Sequence, residues 1–213
     1  KKAADYVVKE FITHGLLPTT KDANGAPSYL QPYNLYQGAW GDVYLKANGK
    51  TFNYQEDFFV NGLMNIPAEK QLKTVFAGYG IESESYNDYA SISVQGKAVV
   101  LLEGEPQDND GKYLANGLRE TSKWSAPNAW QTKVQLALSK GAEAVIMISA
   151  KQGDEFTQEI RRRTVMDRRF NRMTLKPAEE ALSNQAVMVV SEQIGAELLK
   201  TSPSKLKDLT AKL

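Results

Sequence analysis

The chain has 213 residues, a formal net charge of +1, 42% hydrophobic and 24% charged residues, one histidine and no cysteine. That balance is ordinary for a globular protein with a sizeable core and sets aside disordered and collagen-like readings. Near neutrality gives no global pull toward nucleic acid or anionic membranes. The lack of cysteine excludes disulfide scaffolds, thiol nucleophiles, zinc ribbons and Cys-ligated clusters.

The opening Lys1-Lys2-Ala3, without methionine, points to a trimmed chain or a mature form after signal removal. Ala3 to Leu17 then carries Ala4, Val7, Val8, Phe11, Ile12 and Leu16 at the spacing of one buried helical face. Gly15 is the natural residue after the cap, and Pro18 forbids continuation. Thr19 to Pro27 reads as a loop. Tyr29–Tyr36 and Asp42–Leu45 are expected as strands, with Asn48-Gly49 turning a hairpin into Thr51–Tyr54. A polar break at Ala68-Glu69-Lys70-Gln71 suggests a module boundary near residue 70.

Beyond it the pattern changes to short buried strands, Val75–Gly78 and Ala98–Glu103. The glycines of GYGI at 78–81 predict a bulge or a tight backbone approach. Glu105 to Ser125 is a long polar connector, of the kind that is either functional or disordered. Asn128 is expected to cap a helix, with Gln131 completing a capping box, Trp130, Val134, Ala137 and Leu138 turned inward, and Gly141 at the end. Ala144–Ser149 follows as a buried strand. Arg172–Leu175 and Ala186–Val190 read as two more strands. Ser191 caps a short helix that turns Ile194, Leu198 and Leu199 inward, and Ser204–Leu213 is expected as a last short helix. This alternation predicts a mixed α/β core rather than a helical bundle. No apolar run approaches the roughly 20 residues that span a bilayer, and no repeat at solenoid periods is present.

Chemistry is sparse. His14 is the only imidazole, and its place in the last turn of the first helix is explained by the helix dipole alone. A catalytic zinc usually takes three protein ligands rich in histidine, so only a carboxylate-dominated site for a hard cation remains open. Asp108-Asn109-Asp110-Gly111 starts like a calcium loop, but Arg119 stands where the closing glutamate belongs. There is no G-x-S-x-G, and GYGI does not lead into a helix as a phosphate-binding loop must.

The one local charge anomaly is Arg161-Arg162-Arg163 followed by Arg168, Arg169 and Arg172, threaded by Phe156, Ile160, Met166, Phe170 and Met173. The plain reading is an amphipathic helix with a solvated cationic face. Recognition of a carboxylate on a peptide or a partner suits arginine forks and is the sharper alternative. Asp154, Glu155 and Glu159 just upstream weigh against nucleic acid. Trp124 and Trp130 flank Pro127 at a helix entry, where packing outweighs a peptide-stacking role.

Several stretches together resemble the protease-associated domain of secreted zinc aminopeptidases. VFAGYGI is similar to the family's entry strand, and YNDYASISVQGKAVVLLEGEP to its aromatic-Asp connector and following strand. KWSAPNAWQTKVQLALSKGAEAVIMIS resembles its helix and GA-x-AVI strand, and NQAVMVVSEQIGAELL its closing strand and helix. Upstream, AADYVVKEFITHGLLP and SYLQPYNLY are similar to the opening of bacterial aminopeptidases that carry this domain as an insertion.

The resemblance implies an α/β (α+β) fold, a mixed sheet or open β-barrel flanked by short helices, with an N-terminal helix-plus-strand appendage. It divides the chain into 1–70, the start of a peptidase domain; 71–200, the protease-associated domain; and 201–213, a linker toward a missing catalytic domain. It implies a non-catalytic module that gates substrate access or mediates protein contacts, with a free-standing peptide- or protein-binding module as the alternative. No catalytic or metal-binding residue carries over, and zinc belongs only to the missing domain. The expected partners are that domain, a peptide or protein substrate and, through Leu16, Leu17 and Tyr33, a second copy of the chain. The residues expected to face them are Tyr113 in the long connector, Trp124, and Arg161, Arg162, Arg163, Arg168 and Arg169. The expected location is extracellular or periplasmic in a bacterium, an envelope lipoprotein included.

Overall fold

The computed structural model describes residues 2–37, 40–62, 64, 66, 68–170, 173, 175, 185–206 and 208; of 168–170 it describes the backbone only. In chain order the elements are α1 (Lys2–Thr13), β1 (Thr20–Lys21), β2 (Pro27–Ser28), β3 (Tyr44–Ala47), β4 (Lys50–Asn53), β5 (Phe58–Val60), β6 (Thr74–Phe76), β7 (Ala98–Leu102), α2 (Ala129–Ser139), β8 (Ala144–Ile148), α3 (Gly153–Phe170), β9 (Ala186–Val190) and α4 (Glu192–Leu198). Two compact units result, Lys1–Gly38 with Arg172–Ala178, and Ala39–Asn171 with Glu179–Leu213.

In the first unit, α1 stops four residues short of the expected end. Gly15 N–H donates to Ile12 O at 3.1 Å and Leu16 N–H to Phe11 O at 3.0 Å. This Schellman closure satisfies two of the last carbonyls, with Gly15 in the role its sequence position predicted. The expected buried face is not buried: α1 holds no buried residue. Its ring contact is Phe11 on Tyr29, centroids 6.1 Å apart. The expected strand over Tyr29–Tyr36 is also absent, since residues 29–35 adopt no strand. The strands that this unit does form, β1 and β2, pair with each other. An aromatic-rich segment becomes a strand only when a neighbour takes its backbone groups.

The second unit is built on a five-stranded sheet of order β5-β9-β8-β7-β6. β6, β7, β8 and β9 are parallel, in register Ala98↔Ala144↔Ala186, and β5 pairs antiparallel with β9 at one edge. β7 and β8 are buried along all their residues. That explains why they read as unbroken apolar runs rather than alternating ones. One face packs Val100, Ile146, Phe58 and Val190 against Ile194, Ala196 and Leu198 of α4, with Leu45 and Phe52 of the β3–β4 hairpin alongside. The other packs Val99, Leu101, Val145 and Met147 against Val134 and Ala137 of α2 and Phe156 and Ile160 of α3. Each fully buried Val, Leu, Ile, Met or Phe among them contributes about 1.5–3 kcal/mol. The sheet is open, and the architecture is mixed α/β.

Some local signals hold and others do not. Asn48 and Gly49 turn the hairpin with φ 48 and 79, as a type I′ turn requires. Ser191 Oγ accepts the Ile194 N–H of α4 at 3.4 Å. Asn128 does stand before α2, but its side chain makes no cap hydrogen bond, which corrects the expected capping box. The expected strand Arg172–Leu175 falls partly outside the described residues; Met173 and Leu175 are exposed and not in a strand. Most of the expected helix over Ser204–Leu213 also lies outside them, after a 3-10 turn at Pro203–Lys205.

The tight approach predicted at 78–81 is real. Gly80 has φ +68, and a Cβ there would sit 2.8 Å from both methyls of Leu101. Gly80→Ala is expected to cost about 2–4 kcal/mol, from backbone strain plus overpacking. Gly96→Ala is the control, with the same φ of +68 and no atom within 4 Å of the added Cβ. Equal losses in urea unfolding at both positions would show that the Leu101 contact costs nothing.

Candidate functional site

The successive strands β6 to β9 are successive neighbours in the sheet. Crossovers of one hand along such an order put α2 and α3 on the same face. No reversal occurs among these parallel strands, so they open no crevice of the dinucleotide-binding kind. The polar groups gather instead where β7 and β8 end and the chain turns up into α2 and α3.

Three buried or half-buried charges organise the β7 end. Asp88 is 1% exposed. Its Oδ2 accepts the backbone N–H groups of Tyr79 and Ile81, both at 3.0 Å, and its Oδ1 accepts the Tyr86 hydroxyl at 2.7 Å. Burial nevertheless holds its carboxyl above the usual range, against those donors and Lys133. Burial, and after it the same carboxylate, raise the Tyr86 hydroxyl. Lys133 of α2 is 2% exposed. Its ammonium donates to the Gly104 carbonyl and lies 5.8 Å from the Tyr79 ring centroid. Burial pushes Lys133 down to about 8, while Asp88, Glu105 and Glu103 pull it back up. Glu105 accepts the hydroxyls of Ser122, at 2.9 and 2.8 Å, and Ser125, at 2.5 Å. These bonds draw the two ends of the 105–125 connector together, so the long loop is closed at its base.

A second cluster lies beside it, between α2 and α3. A half-open cavity of about 70 Å3 is lined by Asn61, Glu103, Ser149, Lys151, Glu159 and Arg163, over an apolar floor that includes Phe59 and Met147. Glu103 Oε2 accepts the Ser149 hydroxyl at 3.2 Å and the Ala150 N–H at 2.8 Å. Glu159 is clasped by Arg162, by Arg163 Nε at 3.0 Å and by Lys151 at 3.3 Å. These donors, Arg162 foremost, hold its carboxyl down to about 2. The Arg163 guanidinium also lies 5.3 Å from the Phe59 ring centroid.

The residues expected to face a partner are scattered. Arg161 is exposed. Arg162 and Arg163 are committed to Glu159, so part of the cationic face is neutralised within its own helix. Arg168 and Arg169 lie on α3, with side chains outside the described atoms. Tyr113 is half-buried in the connector. Trp124 is 4% exposed, with Lys123 Nζ 4.7 Å from its ring centroid; it packs inside. His14 Nδ1 sits 2.8 Å from the Glu10 carbonyl. Among the described residues no group of three or more His, Asp or Glu is placed to hold a metal ion. No described helix is long and apolar enough to cross a membrane.

Sequence reasoning passed over Lys133, Glu103 and Glu105. A signal existed for the first: a lysine within the inward stripe of Ala129, Val134 and Ala137 is an ionisable group at a core position. Glu103 and Glu105 directly follow a fully apolar strand, where a carboxylate must find donors or face water.

No protein-family model matches the chain, and no curated protein matches it. Among solved structures, an aminopeptidase from Aneurinibacillus sp. strain AM-1 matches at 16% identity and a TM-score of 0.35, covering 93% of this chain. The chain spans 34% of that protein's length.

Proposed function

We propose that this chain is a non-catalytic, protease-associated module of a secreted zinc aminopeptidase, acting by gating substrate access or by contacts with other proteins. The observation that carries the reading is the order in which the family-like segments assemble. VFAGYGI, the aromatic-Asp connector with AVVLL, the α2–β8 segment and the β9–α4 segment are consecutive parts of one sheet in one unit. The aspartate of the connector, Asp88, is its structural hub. Lys133 and Glu105 are likewise bonded within the fold. Among the exposed residues of α3 are Arg161, Val165 and Met166, a cationic and apolar strip suited to a protein surface. The 105–125 loop and this strip are the segments proposed to meet a catalytic domain.

The test has two parts. The chain is incubated with leucine p-nitroanilide and zinc; no hydrolysis above buffer is expected, and chelator-sensitive hydrolysis would overturn the reading. An immunoblot of source cells against this chain is expected to show a species about twice its mass, as an added domain requires. A species of the chain's own mass would replace the reading with a free-standing binding module.

A further inference from the structure

The cavity between α2 and α3 has unspent groups of both signs. Glu103 uses one carboxylate oxygen on Ser149 and Ala150, and its other oxygen has no partner among the described residues. Arg163 spends Nε on Glu159, which leaves its two Nη groups without an acceptor among those residues. The same holds for the Asn61 side-chain amide and the Trp130 indole N–H, both lining the cavity. Lys151 adds a second cation at the rim, held by one contact to Glu159.

A simple anion would meet Arg163 and Lys151 but would lie beside Glu103 and Glu159, and a simple cation would meet Glu103 but lie beside Arg163 and Lys151. A molecule that carries a carboxylate and an ammonium a few ångströms apart satisfies both ends at once. About 70 Å3 is under half of the roughly 150 Å3 cavity that holds the six carbons of benzene, so a ligand of five or six heavy atoms seats in part and extends through the open side. Phe59 and Trp130 line the cavity and give its small apolar group a surface.

We infer that this cavity binds a small zwitterionic α-amino acid, its carboxylate on the Arg163 fork and Lys151 and its ammonium on Glu103. Arginine presents a fork matched to a carboxylate. Glu103 is held by two donors on its far oxygen, so its free oxygen is oriented before the ligand arrives. The site is independent of any peptidase reading, since every group belongs to the described unit.

The test follows the Trp130 indole N–H resonance, identified through Trp130→Phe, while L-alanine is added. A ligand this small binds weakly, so a saturable shift is expected by about 50 mM. Acetate and ethylammonium, which each carry one half of the molecule, are expected to leave it unmoved. Glu103→Gln and Arg163→Gln are each expected to weaken L-alanine at least about tenfold, the scale of one hydrogen bond to a charged group. Near-UV circular dichroism checks that both variants keep the fold. No shift with L-alanine would overturn the inference, and so would an equal shift with acetate or an unchanged affinity in folded Glu103→Gln.

Discussion

Asp88→Ala is expected to lower the free energy of unfolding by about 3–5 kcal/mol, a larger loss than that of Gly80→Ala. Three donors lose their acceptor together: the backbone N–H groups of Tyr79 and Ile81 and the Tyr86 hydroxyl. Each lies in a buried or half-buried site, where water is a poor substitute. The effect should also be local in a readable way. Amide exchange at Tyr79 and Ile81 should accelerate more than exchange in β8, because the carboxylate pins the turn between β6 and the connector. Asp88→Asn keeps an acceptor oxygen and can donate its amide to the Tyr86 oxygen, so about half the loss is expected. Urea unfolding decides it: a loss under about 1 kcal/mol for Asp88→Ala would mean that the turn is held by packing alone.

The second large effect is a dependence on pH. Lys133 sheds its proton at about 8 in the folded chain, against about 10.4 for an unfolded lysine. Between those values the unfolded chain binds more protons, so stability rises with pH there. From pH 7 to pH 9.5 the gain is about 2 kcal/mol relative to a variant without the group. Lys133→Met keeps the volume and removes the charge. No carboxylate lies within ion-pair distance of Lys133 among the described residues; its bond is to the Gly104 carbonyl. The substitution therefore breaks no direct ion pair, and the variant is expected to be at least as stable as the natural chain at pH 7. Its advantage should shrink as pH rises to about 9.5. Parallel pH profiles for the two chains, with the variant weaker throughout, would show instead that the charge holds the base of the 105–125 loop.

How far the fold was legible follows from how local each cause is. Ala186–Val190, the Ser191 cap and the glycine ends of α1 and α2 were readable because a few adjacent residues decide them. The hairpin at Asn48-Gly49 belongs with these. Phe58–Val60 was not read as a strand, and nothing within its own three residues makes it one. It becomes one by pairing with β9, more than a hundred residues later in the chain. Residues 29–35 fail for the converse reason: their composition is strand-like, but they pair with no strand among the described residues. The apolar stripe of α1 was legible as a helix face, yet periodicity says only which side would be buried if something covered it. The arginine-rich segment was legible as a helix, and Glu159 was noted as acidic, but the clasp of Lys151, Arg162 and Arg163 around it was not.

By itself the sequence determined the mixed α/β class, the run of β6 to α4 in order, and the chemistries it excludes, through composition and short-range spacing. Only the tertiary structure decided where the charge goes. Asp88, Glu105 and Lys133 stand apart in sequence and gather, though not into direct ion pairs, because the parallel sheet aligns the ends of its strands while α2 turns one lysine inward. No period in the chain encodes that meeting, since burial sets both the cost of each charge and the partner it must find.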